Sequence, residues 1–141
     1  MLLAVCTGNY GHGDIWISES VIKLFNVQRA LIVRKEHLDH IFDDGKVFEM
    51  RSTRTNIRGR VGLIEAGSGL VYGEVDLVGC GNAISDAHAV EMMEYHQVDN
   101  LELLKKWKYP WFLSNPVRYK EPVPYDHPAG AVIWVKLNNK I

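Results

Sequence analysis

Cysteine is scarce in this 141-residue chain. Cys6 and Cys80 are the only two, too few for a disulfide scaffold or a four-thiolate zinc site. Long apolar runs are missing as well: no 18 consecutive apolar residues occur, so there is no candidate membrane-spanning helix. Met1 to Cys6 is apolar but lacks the basic flank and the length of a signal peptide. Net charge is nearly absent at −1, which excludes a generic polyanion binder. Low net charge combined with 47% hydrophobic residues also excludes a disordered chain. A chain of about 150 residues buries roughly 70% of its unfolded surface, so a core forms without a metal or disulfide staple. These absences lead us to expect a reduced, cytoplasmic domain with no membrane contact, no metal and no cofactor. They leave its oligomeric state open.

The small net charge is a cancellation between blocks. Arg51, Arg54, Arg58 and Arg60 form a basic stretch without an acid. From Val61 to Leu104 every charged side chain is Asp or Glu, and from Lys105 to Lys120 every one is again Lys or Arg. If the two basic blocks meet in space, a nearly neutral protein carries one positive face.

The pattern of elements points to one α+β domain. Met1 to Cys6 reads as a short strand, and Thr7 to Asp14 as a glycine-rich loop with no Gly-Lys-Ser/Thr after it, hence not a phosphate loop. Ser18 or Ser20 can cap a short helix carrying Val21, Ile22, Leu24 and Phe25. Ala30 to Val33 suits a buried strand. A helix from about Arg34 to Phe42 follows, with Leu38, Ile41 and Phe42 on one face and Gly45 as its left-handed terminator. Lys46 to Arg51 alternates as a strand, with Lys46, Phe48 and Met50 on one side and Val47, Glu49 and Arg51 on the other. Val61–Glu65 and Leu70–Val78 form a hairpin through Ala66-Gly67-Ser68-Gly69. Asp86–Tyr95 and Asp99–Trp107 read as helices, the second with Asp99 and Glu102 spaced as an acidic capping box. Tyr109–Leu113 and Ala131–Leu137 read as the last strands, separated by a crossover holding Pro116, Pro122, Pro124 and Pro128. The expected architecture is a small, bent or closed antiparallel β-barrel with flanking helices.

Four groups of residues can carry chemistry. Lys46, Glu49 and Arg51 place opposite charges within six residues, able to pair with one another or to clamp a polar ligand through the guanidinium fork. The aromatics Trp107, Tyr109, Trp111, Phe112, Tyr119, Tyr125 and Trp134 interleave with lysines and arginines, a composition suited to stacking unpaired bases beside phosphate contacts. Core packing competes for them, first for Trp134 inside an apolar run and then for Trp107 or Trp111. His37 and His40 complete no metal-ligand spacing, whereas His127 in the crossover is a candidate pocket residue. Cys80 reads as a small buried filler.

Gly45-Lys46-x-x-Glu49-x-Arg51 resembles the signature of the ASCH family, small domains related to the PUA barrel. Arg58-Gly59, Gly73-Glu74-Val75, Tyr109-Pro110-Trp111-Phe112-Leu113, Glu121-Pro122-Val123 and Gly130-Ala131-Val132-Ile133-Trp134 follow in the matching order, so the resemblance spans about Ala30 to Leu137. It divides the chain into an N-terminal extension, residues 1–29, packed on an ASCH/PUA-like domain, residues 30–141. It implies a bent barrel with a cleft floored by Lys46 and Glu49. The implied partner is single-stranded or structured RNA, or a modified nucleoside. Arg51, Arg54 and Arg58 would hold phosphate, Trp111 or Tyr125 would stack, and His127 would face the ligand. Some members resemble metal-independent amidohydrolases acting on 4-acetylcytidine, and others have been linked to ribonuclease activity. In that alternative Lys46 and Glu49 act as the acid/base pair. The amidohydrolase-like members place a Thr three residues after the Lys, and here that position is Glu49.

Overall fold

The computed structural model describes residues 27–137. The strand, loop and capped helix expected before residue 27, and with them most of the N-terminal extension, lie outside the described residues. Val27 is already fully buried.

Six strands make one sheet. They are β1 (Arg29–Val33), β2 (Phe48–Arg51), β3 (Gly59–Glu65), β4 (Leu70–Cys80), β5 (Tyr109–Pro124) and β6 (Trp134–Lys136), in the spatial order β2-β5-β4-β3-β1-β6. Helix α1 (Lys35–Asp43) links β1 to β2, while α2 (Asp86–Glu91), α3 (Met93–His96) and a 3₁₀ turn (Leu101–Lys105) form an insert between β4 and β5. Every strand pair is antiparallel except β1 with β3, which is parallel. The sheet is a curled half-barrel in an α+β fold. Its curl has a local source: the β4–β5 ladder shifts register at three places and the β3–β4 ladder at one, and each bulge adds bend and twist.

Alternation along β1 and β3 places apolar side chains on both faces of the sheet. Leu31, Val33 and Leu63 join Leu38 and Ile41 of α1, Val75, Leu77, Trp111 and Leu113 in one core cluster. Ala30 and Ile64 turn the other way and pack with Val71, Tyr119, Val123 and Val135. A third cluster, containing Met50, Ala89, Val98 and Leu104, seats the helical insert on β2.

Several sequence expectations change in detail, and the helix expected over Asp99–Trp107 is only the 3₁₀ turn Leu101–Lys105. The proline-rich crossover is largely strand, because β5 runs sixteen residues through Pro116 and Pro122 to Pro124. Asn115 and Pro116 sit opposite Val75 at a register shift, and Pro122 falls within another, where no ladder N–H is required. The helix expected over 86–95 is interrupted at Met92, which terminates α2 and precedes α3. The cap of the following turn is Asn100 rather than Asp99: its side-chain oxygen accepts from the Glu102 N–H at 3.1 Å. Gly45 does adopt the expected left-handed conformation, with φ +75°.

Gly73 marks a close crossing rather than a turn. A Cβ there would lie 2.3 Å from the Val117 carbonyl oxygen and 2.5 Å from the Phe42 ring. The ladder and α1 therefore meet only over a glycine. Overpacking of a filled site costs about 1–3 kcal/mol, more when backbone must move. Gly73→Ala is expected to lower stability by about 3 kcal/mol, and urea denaturation midpoints against wild type will measure it.

Candidate functional site

A cavity of about 280 Å³ opens between α1, β2 and the helical insert. Its polar lining is Arg34, His37, Lys46, Glu49 and Arg51, and its apolar lining includes Ile32, Met50, Val98, Trp107 and Val132. Residues from Ile32 on β1 to Val132 on the approach to β6 thus converge on one space.

Lys46 lies on the floor and is 2% exposed. Strand β2 begins only at Phe48, so the expected alternation does not extend back to Lys46. Leaving left-handed Gly45, its side chain reaches the same side as Glu49, with Nζ 3.9 Å from Oε1. The ammonium donates to the His96 carbonyl. Burial pushes the Lys46 pKa down and the Arg51 charge adds to this, while Glu49 opposes it.

Glu49 is tied to Arg51 through one oxygen. Oε2 accepts from Arg51 Nε at 2.9 Å and lies 2.8 Å from its Nη2. Arg51 also donates to the Ile32 carbonyl at 2.7 Å, and its guanidinium lies 5.6 Å from the centre of the Trp111 ring. Glu49 Oε1, by contrast, makes no hydrogen bond to a described residue. His37 completes this part of the lining. Burial lowers its pKa, favouring the neutral ring, and its buried Nδ1 has no hydrogen-bond partner among the described residues. The floor therefore presents a cationic donor, a carboxylate acceptor and a neutral imidazole within one pocket.

Lys46, Glu49 and Arg51 meet here, with Trp107 of the aromatic group; Trp111, Arg54, Arg58, Tyr125 and His127 lie elsewhere. Trp111 is 2% exposed and has no face to offer a base. Its ring stacks on Trp134 at 5.9 Å and its Nε1 donates to the Thr53 carbonyl at 2.8 Å. Arg54 and Arg58 line no part of the cavity. Arg54 donates to the Gly81 and Cys80 carbonyls, and Arg58 to those of Thr55 and Ile57. Tyr125 and His127 share a 2.7 Å hydrogen bond, and His127 reaches the Ala131 carbonyl, bracing their own loop. Arg34, His37 and Trp107 are cavity residues that the sequence did not single out as a group. Arg34 at the N-cap of α1 and His37 in its first turn, three residues apart, were the available signal. Among the described residues no His, Cys, Asp and Glu side chains gather as a metal site, and no helix is long and apolar enough to cross a membrane.

The ASCH domain model matches residues 31–123. A crystal structure of ASCH from Zymomonas mobilis superposes with a TM-score of 0.57 at 11% identity, covering 78% of this chain and 87% of that one. That likeness is one of fold. No curated protein matches the chain significantly.

The carbonyl that receives Lys46 belongs to a residue locked in one protonation state. His96 is fully buried; its Nδ1 accepts from the Val98 N–H at 2.9 Å, so Nε2 carries the proton toward the Ala89 carbonyl at 2.7 Å. Protonating Nδ1 would set two donors against each other, and burial lowers the His96 pKa below the usual 6.5. The unfolded chain then binds more protons than the folded one, so stability is full above about pH 6.5 and falls as pH drops below it. His96→Phe should be less stable at pH 7.5 by about 1–3 kcal/mol, from the lost hydrogen bonds. It should also lose less stability than wild type between pH 7 and pH 5, as read from denaturation midpoints across that range.

Proposed function

The chain belongs to the ASCH domain family, and we propose that its cavity binds a nucleobase-bearing ligand, an RNA base or a modified nucleoside, through Lys46, Glu49 and Arg51. One observation carries this reading: a buried donor and a buried acceptor lie side by side on the floor of a cavity of single-nucleoside scale. The Lys46 ammonium has N–H groups beyond the one given to His96, and Glu49 Oε1 is not committed to Arg51. A donor beside an acceptor suits the hydrogen-bonding edge of a base, and an RNA would deliver one by splaying it out of its stack. The volume of about 280 Å³ is at the small end of the roughly 300–1,000 Å³ range of ligand pockets. It suits one base with its sugar, not a run of bases.

A hydrolytic use of the same residues is favoured by the depressed pKa of Lys46 beside neutral His37. Less of its ammonium charge is held at a given pH, which brings the amine closer to general-base work on a water molecule. Release of acetate from 4-acetylcytidine, or cleavage of single-stranded RNA, abolished in both Lys46→Met and Glu49→Gln, would select this reading over plain binding.

Binding is tested by thermal shift with the four common nucleosides, 4-acetylcytidine and short single-stranded RNAs, since a ligand specific to the native state raises the melting temperature. At least one should do so for wild type. Lys46→Met should still fold, a methionine of similar length filling the space while the unpaired His96 carbonyl costs about 1–3 kcal/mol, yet lose affinity at least about tenfold. No shift with any ligand at millimolar concentration would reject the reading.

A further inference from the structure

Arg34 differs from the other cations of the cavity. Lys46 and Arg51 both face Glu49. Arg34 is exposed, and its guanidinium has neither a carboxylate nor a hydrogen-bond acceptor among the described residues. What it has is a ring: the Trp107 indole centre lies 5.6 Å from its central carbon. That contact holds the guanidinium at the rim by cation–π attraction while its five N–H donors stay available.

Charge sharpens the point. The cavity carries three cationic side chains, Arg34, Lys46 and Arg51, against one carboxylate, Glu49, and His37 is held toward neutrality. A neutral nucleoside leaves that excess uncompensated. A phosphate cancels part of it, and a planar guanidinium engages phosphate oxygens two at a time. The floor and the rim are also distinct in depth, with Lys46 at 2% exposure and Arg34 open to solvent. The base would lie inside, and the phosphate would stay at the mouth, where desolvating it is cheap.

Building on the nucleobase reading, we propose that Arg34 is a phosphate-reading group and that the ligand is a nucleotide, with a phosphate beside the bound base, rather than a free nucleoside. A monoester, as in a mononucleotide, and a diester within RNA offer the same anionic oxygens. Trp107 is a positioning residue that sets where the guanidinium stands.

The test is titration calorimetry on the full chain with adenosine, guanosine, cytidine, uridine and 4-acetylcytidine, their 3′- and 5′-monophosphates, and dinucleoside monophosphates as diester probes. For the base that binds, a phosphorylated form should bind roughly tenfold or more tightly than the nucleoside, the worth of a charge-assisted hydrogen bond. The arm that shows the gain identifies monoester or diester. Arg34→Gln should bring that preference below about twofold, with nucleoside affinity changed less than about twofold, and Arg34→Lys should restore part of it. Equal affinity for nucleoside and nucleotide, or a preference that survives Arg34→Gln, would overturn the assignment while leaving the nucleobase reading intact. Absence of binding by every probe would overturn both.

Discussion

Arg51 holds the two ends of the sheet in relation to each other. It sits on β2, an edge strand, yet donates to Ile32 on β1, next to the opposite edge. Three strands separate β2 and β1 in the ladder, so only a curled sheet brings them within hydrogen-bond reach. The same guanidinium neutralises Glu49, a carboxylate that is 5% exposed and would be expensive to bury alone. It also lies over Trp111, which stacks on Trp134 of β6. One side chain therefore joins the curl of the sheet to the charge balance of the cavity.

The helical insert is equally part of the site. Its third cluster of apolar side chains presses α2, α3 and the 3₁₀ turn onto β2, and this delivers the His96 carbonyl to Lys46. His96 is held from both sides, by Val98 and Ala89, so that carbonyl stands at a fixed place. A buried ammonium needs such a fixed dipole, because the nearest carboxylate is 3.9 Å away and already shared with Arg51. The acidic middle of the chain, read in one dimension, is a block of charge. In the fold it supplies a neutral backbone oxygen to a lysine.

Much of this was legible in the residues, and what was not has physical causes. Lys46, Glu49 and Arg51 stood out because opposite charges at short spacing mean something in any conformation. The side of the strand assigned to Lys46 did not hold, since two-residue alternation applies only inside a pleat and Lys46 precedes it. Trp111 and Trp107 were interchangeable on composition; tertiary packing buries the first and leaves the second at the cavity wall. Arg54 and Arg58 advertise charge, yet neither lines the cavity and each donates to backbone carbonyls, a use no sequence pattern announces. The prolines of β5 read as breakers because the bulges that accommodate them depend on the partner strand.

The pairing of β6 with β1 has a consequence in time. Arg29 lies opposite Lys136 and Leu31 opposite Trp134, so the closing contact joins segments more than a hundred residues apart along the chain. Contacts of such separation form late, because loop closure must be paid before they return anything. Val132, which walls the cavity, takes its place only when β6 docks, and Trp111 gains its stacking partner in the same event. During synthesis the domain can hold most of its sheet while the pocket is still open along one side. The cavity is finished by the last described strand to leave the ribosome, so a chain that stops before it has no finished pocket with which to capture a ligand.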